Sequence, residues 1–202
     1  MRRILKVTPA LLAALFFGGS AVSASSTPTF SSTRPLLLKS SGLPAHYRYR
    51  GVHIEDSVAS WDGNIKSVMA IDEQNGWIEA GQEVLQDSAR RPVTITVQLF
   101  RTAGGARGDF AQFFTNSHPE TIYKPGAEWL GGSPIGGLGK PATIYRYSDS
   151  GSSCPQGLVS GITYVYGNAI FSVEDCLHTA GEQGARDIAK RLFLRAKATR
   201  SS

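Results

Sequence analysis

Two apolar segments on either side of Gly167–Asn168 constrain the fold of this chain more strongly than any other feature. Leu158–Tyr166 and Ala169–Asp175 are rich in β-branched and aromatic residues, and glycine as the first of two turn residues suits a type II′ hairpin. A two-residue turn sets a register that keeps apolar and polar pairs on separate faces. The predicted pairs are Tyr164 with Phe171, Ile162 with Val173, Thr163 with Ser172, and Cys176 with Val159.

The N-terminus has the three parts of a secretory signal peptide in the expected order. Met1–Lys6 is positively charged, Ala10–Phe17 is apolar, and Val22–Ala24 places small residues before a cut at Ser25. The apolar part is short for a bilayer span, although an uncleaved anchor is the alternative. We therefore predict a signal peptide over residues 1–24 and a secreted product, extracellular or periplasmic, with no stable membrane span.

The two cysteines, Cys154 and Cys176, lie at the ends of the predicted hairpin. Because Cys176 would lie opposite Val159, the loop that carries Cys154 needs to fold back by only a few residues. An even cysteine count in an exported chain favours a bridge. The sequence predicts a structural disulfide, with a free reactive thiol as the alternative.

The basic charge of the chain depends mainly on the signal peptide. The 202 residues carry 21 Lys and Arg against 16 Asp and Glu, a net charge of +5. Removal of residues 1–24 takes away Arg2, Arg3 and Lys6 and leaves 18 basic against 16 acidic residues, a net charge of +2. Such a small excess gives no reason to expect nucleic-acid binding.

The rest of the chain suits one α+β domain. We place this domain at residues 36–198, after a flexible Ser/Thr/Pro-rich tether at residues 25–35. Pro92–Phe100 alternates apolar and polar residues and predicts a strand. Ile65–Ile71 and Trp77–Leu85 also predict strands, joined by a tight turn at residues 74–76.

Two amphipathic helices complete the predicted fold. The first has an apolar stripe made by Ala106, Phe110, Phe113 and Phe114. The second begins at a capping box of Thr179 and Glu182 and has a stripe made by Ala185, Ile188, Ala189, Leu192, Phe193 and Ala196. We predict an antiparallel sheet of about six to seven strands with both helices packed on one face.

The last third of the chain resembles small secreted bacterial envelope proteins, a group that is largely uncharacterised or described as sensor-like. The resemblance is carried by Gly136–Gly139, Ile144–Tyr147, Tyr164–Asn168 and the helix from Ala185 to Ala196. In those proteins a strand, a Gly-Asn turn, a second strand and a final helix close an α+β domain. The resemblance implies the fold and the compartment, and it brings no catalytic residue.

The segment from His118 to Pro141 is rich in glycine and proline and predicts a long structureless loop, a kind of segment that is often functional. Four of its residues form the predicted ligand or partner surface: Tyr123, Lys124, Glu128 and Trp129. A large aromatic side chain in such a loop either fixes the loop to the core or contacts a partner. The sequence leaves both readings of Trp129 open.

Catalytic and cofactor motifs are missing from the sequence. Gly-x-Ser-x-Gly does not occur, and the glycine-rich Gly131–Lys140 lacks both the first glycine and the final Ser or Thr of a phosphate-binding loop. The histidines have no metal-ligand spacing. We therefore expect no metal and no cofactor.

These observations predict a secreted, non-catalytic domain that binds a protein or a small ligand at the cell envelope. The alternative is a secreted hydrolase with a dispersed His/carboxylate site that uses His118 or His178. The basic side of the last helix could also bind anionic polymers or lipid headgroups, although such charges are typical of a solvated helix face.

Overall fold

The computed structural model describes residues 27–39, 42–63, 65–116, 127–151, 154–176 and 181–199, so the predicted signal peptide lies outside the described residues. The strands are β1 (Arg48–Glu55), β2 (Trp77–Gln86), β3 (Pro92–Phe100), β4 (Glu128–Pro134), β5 (Ala142–Ser148), β6 (Leu158–Tyr166) and β7 (Ala169–Cys176). The helices are α1 (Val58–Trp61), α2 (Lys66–Asn75), α3 (Ala103–Ala111) and α4 (Gly181–Thr199). A π-helical turn, Gln112–Asn116, continues α3.

All the strands form one antiparallel sheet of seven strands in the order β1-β2-β3-β7-β6-β5-β4. The chain therefore builds one group of neighbouring strands from β1 to β3 and a second from β4 to β7. Pairing of β3 with β7 joins the two groups at the middle of the sheet. The predicted antiparallel α+β class and strand number are confirmed.

The predicted hairpin is present with the predicted register. Tyr164 pairs with Phe171, Ile162 with Val173, Thr163 with Ser172, and Cys176 with Val159. Gly167 has a φ of +67°, and a type II′ turn requires such a positive φ at its first central residue. Local alternation and turn chemistry were sufficient to fix this part of the fold.

The two amphipathic helices pack on opposite faces of the sheet, so the prediction that they share one face is wrong. The apolar stripe of α4 packs with Phe171 and other side chains of the main core. Ala106 and Phe110 of α3 pack with Val165 and Ile170. Because successive strand residues point to opposite faces, Ile170 and Phe171 belong to different faces. An amphipathic stripe shows that a helix is packed, but it does not show on which face.

The segment predicted as a flexible tether is packed where the structure describes it. Phe30 is buried, and the side chain of Asn168 accepts a hydrogen bond from its backbone N–H (2.7 Å) and donates one to its carbonyl (3.0 Å). The backbone N–H of Thr33 donates to Glu79 (2.6 Å), and residues 36–38 are buried leucines. The domain therefore includes this segment, because side chains of the sheet satisfy its backbone groups.

Residues 65–76 form a helix and its cap, whereas the sequence predicted a strand and a tight turn. The helix is α2, and Gly76 ends it with a φ of +74°. A glycine after asparagine supplies positive φ equally well to a hairpin turn and to a helix C-terminus, so the signal was ambiguous. The predicted strand that begins at Trp77 is present as β2, but it pairs with β1 and β3.

Part of the predicted structureless loop is a strand. β4 occupies residues 128–134 and, among the described strands, pairs only with β5, at the edge of the sheet. Its register shifts between Trp129 and Gly131, so the strand has no regular alternation that sequence analysis could detect. Residues 117–126 lie outside the described residues.

Cys154 and Cys176 form the predicted disulfide, with a sequence separation of 22 residues. Closure of a loop of this length restricts the unfolded chain, so the Cys154→Ser/Cys176→Ser double variant should lose about 3 kcal/mol of the free energy of unfolding. Urea unfolding measures this loss. A reducing agent should lower the stability of the native protein by the same amount and leave the variant unchanged. Equal midpoints for both proteins would contradict a stabilising bridge.

Candidate functional site

One row of residues crosses the sheet on the face that α3 covers in part, called here the α3 face. Neighbouring strands place Gly132, Tyr145, Gly161, Glu174 and Thr94 side by side in this row. A Cβ atom on Gly161 would overlap the ring of Tyr145. Glycine at this position therefore lets the tyrosine lie flat across β6 and reach β7.

Glu174 lies at the end of that ring and is bound on both carboxylate oxygens. The hydroxyl of Tyr145 donates to Oε1 (3.0 Å), and the hydroxyl of Tyr147 donates to Oε2 (3.2 Å). Burial, followed by the negative charge of Glu174, raises the pKa of both phenols far above its usual value. The two tyrosines are therefore fixed, neutral hydrogen-bond donors.

Trp129 extends the same arrangement to the edge strand. Its ring stacks on Tyr145 at 5.6 Å with an angle of 17°, and Tyr145 stacks on Tyr147 at 6.2 Å. Phe114, from the π-helical turn after α3, contacts Tyr145 at 5.5 Å. We call the residues Trp129, Tyr145, Tyr147 and Glu174 the aromatic–carboxylate patch. Trp129 thus fixes β4 to the sheet, and it remains half-buried.

The residues predicted as a surface have different outcomes. Trp129 lies in the aromatic–carboxylate patch, while Glu128 is exposed at the start of β4 and pairs with Ser148. Tyr123 and Lys124 lie outside the described residues. Sequence reasoning missed Tyr145, Tyr147 and Glu174, because the tyrosines of β5 reach Glu174 of β7 across the intervening strand β6. A glycine inside an apolar strand, Gly161, was the one available signal of a close approach.

Hydroxyl side chains line the centre of the sheet beside the patch. Thr94 and Thr96 of β3 and Ser172 of β7 are half-buried on the α3 face. Ser172 also shares a hydrogen bond of 2.8 Å with the buried Thr163 of β6. We call Thr94, Thr96, Thr163 and Ser172 the hydroxyl strip. An antiparallel sheet can carry polar side chains on a face that is only partly covered, and here those side chains place several hydroxyl groups on rigid central strands.

The described residues give no support to the hydrolase alternative. His118 and His178 lie outside them. On β1, exposed His53 contacts the carboxylate of Glu55, and that hydrogen bond lowers the pKa of Glu55. Ser60 also hydrogen-bonds the carboxylate, whereas a nucleophilic serine needs the imidazole as its base. This group is therefore not a catalytic triad.

Several basic side chains of α4 are engaged within the molecule. Arg195 donates to the carbonyl of Pro35 (2.7 Å), and Arg191 donates to the carbonyl of Gly42 (3.4 Å). Arg186 pairs with Glu182 at 3.2 Å. The contacts of Arg191 and Arg195 attach the segment before β1 to the helix, and Arg186 is paired within it, which weakens the alternative of a free anion-binding face.

Within the described ranges, no group of three His, Cys, Asp or Glu side chains is arranged to hold a metal ion. No helix in the described part of the chain is both long and apolar enough to cross a membrane.

The comparisons with known proteins give a similarity of fold. No protein-family model matches the sequence, and no curated protein matches it. The structure is similar to the extracellular domain of PknH from Mycobacterium tuberculosis, with a TM-score of 0.54 and 15% sequence identity. The similarity covers 85% of this chain and 98% of that domain. At this identity it shows the fold alone, which is that of a sheet-centred α+β domain.

The space that Gly161 leaves for Tyr145 can be tested directly. Gly161→Ala should push the ring off β6, break the contact with Glu174, and lower the free energy of unfolding by about 1–3 kcal/mol. Gly51→Ala is a matched control, because Gly51 also lies in a strand and a Cβ there meets nothing within 4 Å. Urea unfolding compares the two variants. If both variants lose the same free energy of unfolding, the ring of Tyr145 does not need the space left by the missing Cβ of Gly161.

Proposed function

We propose that this chain is an exported, non-catalytic domain that binds a small polar ligand on the α3 face. The observation that carries the proposal is the hydroxyl strip at the centre of the sheet, beside a carboxylate held by two phenols. The disulfide supports an oxidising compartment, extracellular or periplasmic. The similar domain of PknH is itself extracellular, which agrees with that compartment.

The position of the hydroxyl groups favours recognition of a ligand. Thr94, Thr96 and Ser172 lie on central strands, and β3 and β7 are held by neighbours on both sides. Rigid elements place hydrogen-bonding groups with little loss of conformational freedom on binding. Glu174 is the charged member of its row, so a neutral or positively charged ligand fits this surface better than an anion.

The surface predicted from the sequence forms the proposed edge of the site. Trp129 and Glu128 are on β4, next to the aromatic–carboxylate patch. We include Tyr123 and Lys124 in the same proposed surface, since they precede β4 in the chain. A protein partner would bind the same edge of the sheet. A small molecule that stays bound during purification would favour a small ligand over a protein partner.

The proposal predicts a retained ligand that depends on the hydroxyl strip. Native mass spectrometry of the protein recovered from its own culture medium should show a bound small mass. A Thr96→Val/Ser172→Ala variant removes two hydroxyls with little change of shape, and each lost hydrogen bond should weaken binding about tenfold. The bound fraction of this variant should therefore fall sharply.

Ser133→Ala is the control, because Ser133 is exposed on β4 and pairs with Ile144, away from the hydroxyl strip. It should retain the ligand as the native protein does. If the native protein shows no bound mass, and no sugar, amino acid or amine raises its melting temperature, the small-ligand proposal is wrong and a protein partner becomes the better explanation.

A further inference from the structure

Three buried carboxyl groups lie in the layer of short helices on the α3 face, and each acts electrostatically on another of the three. Asp62 follows α1 and is 6% exposed, Asp72 of α2 is 0% exposed, and Asp109 of α3 is 1% exposed. Asn75 of α2 donates a hydrogen bond to Asp109 at 3.3 Å. Each helix of this layer therefore supplies one acidic side chain to one buried cluster, called here the aspartate cluster (Asp62, Asp72 and Asp109).

Glycines of α3 allow the helices α2 and α3 to come into close contact. A Cβ atom on Gly108 would lie 2.5 Å from the side-chain oxygen of Asn75, and one on Gly105 would overlap the backbone carbonyl of Asn75. The α3 backbone therefore lies directly against the end of α2. This approach brings Asp109 within hydrogen-bonding contact of Asp72.

Two members of the cluster have no hydrogen bonds that would compensate a negative charge. Both carboxyl oxygens of Asp62 and of Asp72 are buried and accept no hydrogen bond, whereas Asp109 accepts one from Asn75. Ionised carboxylates so placed are costly, and either a proton or a cation must remove the charge. No three His, Cys, Asp or Glu side chains among the described residues are arranged to bind a metal ion. Protons are therefore the better candidate for removing the charge. A protonated Asp72 can then donate to Asp109.

The charges that act on the cluster are acidic. Burial raises the pKa of Asp62 to about 7, and the charges of Asp72 and Glu73 add to this shift. Burial and Asp109 raise the pKa of Asp72. Burial also raises the pKa of Asp109, against the effect of its hydrogen bonds with Asp72 and Asn75.

The surrounding elements carry further charged or titratable side chains: Arg48, Tyr49, Arg50, His53 and Glu55 of β1, Asp56 after it, Lys66 and Glu73 of α2, Glu79 and Glu83 of β2, Arg101 after β3, Arg107 of α3, Tyr164 and Tyr166 of β6, and Glu174 and Asp175 of β7. Of these, Glu73 is the one whose charge adds to the raised pKa of a cluster member, Asp62. The strands beneath the helices contribute uncharged side chains to this core: Trp77, Ala80, Phe100, Val165 and Ile170.

We propose that the aspartate cluster is a proton-binding site that holds α1, α2 and α3 together in acid and loosens them as its protons leave. The domain would then respond to the pH of its compartment, whether or not it binds the ligand proposed above. The rings of Phe110 and Phe114 (5.2 Å) and of Phe114 and Tyr145 (5.5 Å) connect α3 with the candidate site by direct packing.

The direction of the response follows from the folded-state pKa values. An unfolded aspartate has a pKa of about 4. The cluster binds protons more tightly when folded, so its contribution to stability is complete below about pH 4 and is lost as the pH rises through the raised values, about 7 for Asp62. The helix layer should therefore be tighter in acid than in alkali.

Tryptophan fluorescence can follow this layer. Trp61 and Trp77 both pack in the core beneath the helices, and a Trp129→Phe background removes the signal of the third tryptophan. Between about pH 5 and about pH 9, the emission should change while the far-ultraviolet circular dichroism stays folded. The folding equilibrium constant from urea unfolding should fall at least tenfold over the same range. A tenfold fall is what a difference of about one unit between the folded and unfolded pKa of a single group produces.

Asp62→Asn/Asp72→Asn in this background should abolish the emission change, because asparagine has the shape of the protonated acid and cannot ionise. The same variant should reduce the fall of the folding equilibrium constant without removing it, since burial also raises the pKa of Asp175, on β7, to about 7. Asp187→Asn, at an exposed site on α4, should keep them. A single Asp109→Asn variant gives a second test if the double variant does not fold.

Persistence of both pH responses in the cluster variants would overturn the proposal. So would recovery of the acid-state emission by Ca²⁺ or Mg²⁺ at about pH 8, since it would indicate a cation site.

Discussion

The pairing of β3 with β7 is the contact on which the rest of the fold depends. It joins the strands from β1 to β3 with those from β4 to β7, and so makes one sheet from two separate parts of the chain. Asn168, 2% exposed in the β6–β7 turn, strengthens one end of this pairing: its backbone carbonyl accepts from the N–H of Phe100 (2.9 Å), and its side chain donates to the carbonyl of Phe100 (2.7 Å). The same side chain holds Phe30, so the N-terminal segment is anchored at the point where the two groups of strands meet.

The two faces of the central strands have different compositions, and this difference separates structure from the candidate site. On one face, β3 presents Val93, Ile95, Val97 and Leu99, which are all buried in the core with α4. On the α3 face, β3 carries Phe100 at the end that the short helices cover and Thr94 and Thr96 toward the other end. The large core can therefore stabilise the domain, while the α3 face keeps polar groups on rigid strands.

Sequence reasoning succeeded where the determining contacts are local. The β6–β7 register follows from alternation and the Gly167–Asn168 turn, and the stripes of α3 and α4 follow from helical spacing. It failed at Gly76, because the same positive φ serves a turn and a helix end, and at β4, because an irregular edge strand has no regular pattern. The aromatic–carboxylate patch could not be predicted from the sequence. Tyr145 and Glu174 are on strands separated by β6, and only the complete sheet brings them together.

Glycine has the same physical role at the patch and at the aspartate cluster, with opposite electrostatic results. Gly161 lets Tyr145 cross a strand, and Gly108 lets α3 contact α2, so each position admits a contact that a Cβ would prevent. At the patch the close approach delivers phenol donors to both oxygens of Glu174, which compensate its charge locally. At the cluster the approach brings carboxyl groups together without enough donors, so a proton has to supply what the side chains lack. The first site therefore holds fixed, neutral hydrogen-bond donors, whereas the charge of the proposed proton site depends on the pH.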